Sequence, residues 1–163
     1  MSILSLIISS LATCVLATSK SSSGDAAAGA GPIFIGTAGF GQNLSTEFHY
    51  SQAVRIGNYL KVSGQGGWDP QTGELVTDIA TQVNNAFDSL TLALKAAGST
   101  NGLADLISIN SYHVGDLAFG LGNVTAVMEK RIPKVLPTWT AVGVTGLAFA
   151  EQLVEIQAEA WIK

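Results

Sequence analysis

The chain has 163 residues, 47% hydrophobic and only 12% charged, with a formal charge of −4 and one cysteine, Cys14. That length holds one domain with a substantial core and not two. The acidic balance, with no basic run longer than Lys130-Arg131, argues against a nucleic-acid partner, and a lone cysteine excludes an intrachain disulfide framework or a cysteine-rich zinc site.

The charged share is about half that of an average domain, which points to surface covered by a partner subunit or lying in a removable segment. Residues 3–17 form an apolar run, shorter than the roughly 20 residues a membrane span requires, so no stable span is expected. The run has the length of a signal-peptide core, and Val15-Leu16-Ala17 offers small residues for cleavage, yet Met1-Ser2 lacks a basic start. A signal, and hence secretion, and an unprocessed extension both stay open. Residues 19–31, rich in Ser, Gly and Ala, read as linker. The glycines from Gly36 to Gly41 lack the Gly-Lys-Ser/Thr ending of a phosphate loop and read as a flexible joint. This divides the chain into an N-terminal segment, residues 1–45, and one domain, residues 46–163.

Within the domain, order begins at residues 47–54. The stretch from His49 to Trp68 reads as two β segments joined by the Gly57-Asn58 turn, the first continuing as strand over residues 54–56 and the second spanning residues 59–64. Gly64, Gly66 and Gly67 make a glycine-rich exit, residues 69–73 a turn, and residues 74–76 a short extended piece. From Asp78, the residues Ile79, Val83, Ala86, Phe87, Leu90, Leu94 and Ala97 fall at steps of three and four, one face of a helix that Asp78 or Thr77 can cap and Gly98 can end. Residues 105–114 read as a strand and residues 117–131 as a weaker helix, its first turn loosened by Gly120 and Gly122. After Pro133 and Pro137, residues 138–144 read as a strand.

Residues 154–162 alternate most cleanly. Val154, Ile156, Ala158, Ala160 and Ile162 share one face; Glu155, Gln157, Glu159 and Trp161 share the other. The order β-β-α-β-α-β-β predicts a two-layer α+β domain, with two helices on one face of a mixed sheet and an open face suited to association.

Several of these stretches carry a family likeness. Tyr50-Ser51-Gln52-Ala53-Val54, Gly57-Asn58, Val62-Ser63-Gly64-Gln65, Asp69-Pro70 with Thr72-Gly73-Glu74, Ala96-Ala97-Gly98 and Val154-Glu155-Ile156-Gln157-Ala158 together resemble the Rid family, also called YjgF/YER057c/UK114 or endoribonuclease L-PSP, over residues 48–163. The resemblance implies a chorismate-mutase-like fold, a homotrimer with clefts between subunits, no cofactor and, in the deaminase branch, hydrolysis of enamine or imine acids to keto acids and ammonia. That branch holds the substrate carboxylate with an arginine in a Pro-Ala-Arg-Ser/Thr setting, and the corresponding position here is Trp139, whose indole is a single neutral donor. Its water-positioning glutamate aligns with Gln157, which can hold a water but not take its proton; Glu155 and Glu159 flank it by one pleat.

On this alignment the expected catalytic residues are Tyr50 and Gln157, with Ser63, Gly64, Trp68 and Trp139 added for substrate binding. Tyr50 reads equally as a ligand contact and an interface aromatic, and Trp68 with Trp139 equally as an aromatic cleft and as subunit packing. His49 and His113 have neither metal-ligand spacing nor a catalytic relation to Ser63, so no metal is expected and both read as surface or interface residues. Three functions fit: hydrolysis of small enamine, imine or enol-like metabolites; binding or rearrangement of a larger, less charged metabolite without deamination; and RNA or protein regulation, which the acidic charge disfavours for RNA. Family resemblance alone implies the cytoplasm.

Overall fold

The apolar stripe that starts at Ile79 forms the longest helix, and the core is laid down against it. The computed structural model describes residues 31–163; the expected signal segment and nearly all of the linker lie outside the described residues. In chain order the elements are β1 (Ile33–Ile35), α1 (Phe40–Phe48), β2 (Ala53–Ile56), β3 (Tyr59–Gly66), α2 (Ile79–Ala96), β4 (Leu106–Val114), α3 (Leu117–Arg131), β5 (Thr138–Val144) and β6 (Val154–Trp161). A 3₁₀ turn at Gly102–Asp105 leads into β4. The strands form one mixed sheet in the order β1-β2-β3-β6-β4-β5, antiparallel throughout except for the parallel pair β4–β5. The fold is α+β, and its order from β2 onward is the predicted one.

The long helix α2 begins at Asp78, whose carboxylate accepts from the Thr81 amide at 2.8 Å. It ends in a left-handed Gly98, φ 99°, with the Gly98 amide donating to Lys95 O and the Ser99 amide to Leu94 O. Its Val83, Ala86, Phe87, Leu90 and Leu94 pack onto Leu60, Val62, Ile156, Ala158 and Ala160, all almost fully buried. Each large side chain so covered contributes about 1.5–3 kcal/mol. The alternation of β6 is therefore the division between core and open face.

Three features differ from the sequence reading. β1 and α1 form ahead of residue 46, where a joint was expected. Phe40, Leu44 and Phe48 recur every four residues, but Gly39 gives α1 no side-chain cap, so only tertiary contacts mark it as a helix. Next, β3 runs on past Gly64 to Gly66 and shifts register against β6 between Val62 and Gln65. Finally, residues 74–76 join no strand; the Asp69 amide donates to Glu74 O and closes residues 69–74 as a turn.

The helix α3 is regular from Leu117, because Asp116 caps it by accepting from the Ala118 and Phe119 amides. Gly120 admits the His113 ring where a β-carbon would collide with it, whereas nothing lies near the corresponding point of Gly122. Gly122→Ala should therefore raise stability by roughly 0.5–1 kcal/mol through helix propensity. Gly98→Ala should lower it by about 1–2 kcal/mol, since its φ is left-handed and the new carbon meets Arg55. Urea titrations of the two variants should move the midpoint in opposite directions.

Candidate functional site

The open face of β6 carries Glu155, and its surroundings are set by glycines. A β-carbon on Gly64 would strike the Glu155 carboxylate, so that glycine lets the acid lie against β3. Gln152, buried, donates to Glu155 Oε2 at 3.2 Å. Around Glu155 lies a pocket of about 290 Å³ lined by Leu44 and Phe48 of α1, by Tyr50, Ser63, Gly64 and Trp68, and by Ala148 and Phe149. Trp68 is held edge-on between Phe40, 5.7 Å away, and Phe149, 5.8 Å away.

Tyr50 is oriented by Gln52, whose Nε2 donates to the phenol oxygen at 2.8 Å and to Gly41 O at 3.0 Å. Because the tyrosine oxygen accepts, its own proton is free to be donated to a ligand. Burial pushes the Tyr50 hydroxyl above its ordinary value of 10.0; the Gln52 bond opposes this and the nearby Glu155 charge reinforces it. Tyr50 is thus a neutral donor at physiological pH. Ser63 donates its hydroxyl to Ser51 O at 2.7 Å, which leaves the oxygen as an acceptor and gives it no base.

Gln157 faces a second groove of about 370 Å³ on the same open face. There it stands with Tyr50, Ser63, Phe34, His49 and Lys61. Tyr50 and Ser63 form the partition between the groove and the pocket, and the acid in the pocket is Glu155.

Trp139 stands apart. It pairs in register with Ile109, packs against the core on the helix side of the sheet, and lines a separate hollow of about 350 Å³ with Thr125, Met128, Glu129 and Leu136. Within one chain Trp139 therefore meets neither Trp68 nor Gln157. Its indole donates to Ser111 Oγ at 2.8 Å, and Ser111 Oγ lies 2.9 Å from His113 Nε2. The string is satisfied if Ser111 donates to Nε2, which puts the imidazole proton on Nδ1, an atom without a partner.

His113 is 1% exposed, a core histidine and not the surface residue expected; His49 is exposed, with the left-handed backbone that ends α1. Among the described residues no group of His, Cys, Asp and Glu could hold a metal ion, and no helix is long and apolar enough to cross a membrane.

Sequence reasoning ranked Gln157 ahead of Glu155. In the structure Glu155 lines the pocket and Gln157 the adjoining groove.

The endoribonuclease L-PSP family model matches residues 40–162. A RutC family protein, YjgH of Escherichia coli K12, is 40% identical over 106 residues, 65% of this chain and 79% of its own. The 2-iminobutanoate/2-iminopropanoate deaminase of the same organism is 31% identical over 111 residues, 68% of this chain and 84% of its own. Among solved structures, Rv2704 of Mycobacterium tuberculosis, a member of the YjgF/YER057c/UK114 family, superposes with a TM-score of 0.66 at 30% identity, covering 81% of this chain and 100% of that one.

Burial holds the His113 imidazole below its ordinary 6.5, so the fold favours the neutral ring. Its contribution is complete above 6.5 and is lost as pH falls from there towards the lower folded value, because the unfolded chain takes up the proton first. Denaturation midpoints measured from roughly pH 8 down to pH 5 should decline below that point, and His113→Asn should flatten the decline.

Proposed function

The chain belongs to the Rid family, the YjgF/YER057c/UK114 or endoribonuclease L-PSP group, and from that premise we propose that it hydrolyses small imine, enamine or enol-like metabolites. The observation that carries this reading is the Glu155 carboxylate beside the Tyr50 hydroxyl in an otherwise apolar pocket. Glu155 holds a water and takes its proton as the oxygen adds to the C=N carbon. The proton is passed to nitrogen; as the C–N bond breaks, the hydroxyl of the adduct gives up its remaining proton, also to nitrogen, and ammonia leaves a carbonyl compound behind. Tyr50, kept protonated, donates to the substrate and fixes its orientation. Trp68 and the Gly64 backbone line the pocket, Ser63 accepts at its edge, and Gln157 holds a polar group in the adjoining groove.

The working assembly in this reading is a homotrimer. The open face bears Phe34, 71% exposed, together with Ile56, Val142 and Trp161, an apolar area that a second copy would cover. The same assembly would bring the β5 edge of one copy, with the hollow at Trp139, against the Tyr50–Glu155 wall of the next, closing a cleft that one chain leaves open.

Trp139 at the family's arginine position favours a second reading, in which the cleft binds or rearranges a less charged metabolite without deamination. The loss of a charge-assisted pair amounts to about 1.5–3 kcal/mol, roughly ten- to two-hundredfold in binding. Ammonia release from a freshly generated imine separates the two. Hydrolysis requires acceleration over buffer, a loss of about 10²-fold or more in kcat/KM for Glu155→Gln, and a much smaller loss for Gln157→Ala. A wild-type rate equal to buffer leaves the binding reading.

A further inference from the structure

The pocket beside Glu155 is lined by one carboxylate and no cation. The hollow at Trp139, the wall that a neighbouring copy would bring, adds a second acid, Glu129, and again no cation. Lys61, exposed, lines the adjoining groove and not the pocket, in register with Glu159 across the sheet. Arg131 is engaged by Asp88 at 2.8 Å. Glu155 has no ion-pair partner among the described residues; its polar contact is the neutral amide of Gln152. A 2-imino acid brings a carboxylate that would meet like charge here. A protonated imine without a carboxylate brings the complementary charge.

The rest of the lining sets the substituent. Leu44 and Phe48 come from α1, Trp68 and Phe149 close the opposite side, and about 290 Å³ is available. An apolar cavity of about 150 Å³ is enough to take benzene, so a ring or a branched alkyl group fits with room for the reacting carbon and a water.

We infer that the preferred substrate is an aldimine, the imine of a primary amine with an apolar or aromatic side chain and no carboxylate. This rests on the hydrolytic reading above and names its substrate class. The reaction is R–CH=NH₂⁺ + H₂O → R–CHO + NH₄⁺. The water oxygen bonds to carbon, Glu155 relays the water's proton to nitrogen, and the C–N electron pair leaves with ammonia. Nothing is oxidised or reduced in the step. A reaction that dehydrogenates primary amines must supply the substrate, and an aldehyde-consuming reaction must follow.

The test compares two imines with the same side chain, generated in place: that of phenethylamine, by an amine oxidase, and that of phenylalanine, by an amino-acid oxidase. The full-length protein should accelerate ammonia release from the first with a kcat/KM at least tenfold above that for the second. Ala148→Arg, at an exposed position on the pocket rim, should shift the ratio towards the carboxylate-bearing imine. If the phenylalanine imine is hydrolysed as fast or faster, the substrate assignment falls and hydrolysis stands. If neither imine is accelerated, the hydrolytic reading itself falls.

Discussion

The site depends on one buried amide. Gln52 is 0% exposed, and its oxygen accepts from Gln65 Nε2 at 2.8 Å while the two protons of its nitrogen are shared among Gly41 O, Ser45 Oγ and the Tyr50 oxygen. Its backbone carbonyl takes the Ser63 amide at 2.9 Å. One residue therefore ties α1, β2 and β3 together and aims the tyrosine. Buried amides are costly when unpaired, at about 1–3 kcal/mol for each orphaned group, so the arrangement is close to all-or-none. The helix α1 has neither a side-chain cap nor charges placed to complement its dipole, and it takes its hold from this network.

Two further buried glutamines repeat the device. Gln82 of α2 donates to Val76 O and Glu151 O and accepts from the Leu153 amide, pinning the loop that enters β6. Gln152 then steadies Glu155 from the same loop. Their neutrality matters in a chain with so few charges: these elements are positioned by uncharged hydrogen bonds.

The parts legible in the sequence are those governed by period. The α2 stripe and the β6 alternation each follow from residues close in sequence, and the structure keeps both. The parts that were not legible are set by pairing. The neighbours of Glu155 across the sheet are set by a register shift between β3 and β6, beside the Gly64-Gln65-Gly66 run. Trp139 falls on the helix side because its parallel partner in β4 is the core residue Ile109, a register its own strand does not declare. The helix α1 escaped notice because glycine occupies its cap and its stabilising partner, Gln52, lies outside it.

The account stands or falls on whether the Gln52 network orients Tyr50 for the reaction and does more than stabilise the fold. The direct measurement is imine hydrolysis by Gln52→Met, a substitution of similar volume, at a temperature where circular dichroism shows the variant folded. The account predicts a fall in kcat of the same order as that of Tyr50→Phe, with little change in KM. A folded Gln52→Met protein with the wild-type kcat would contradict it.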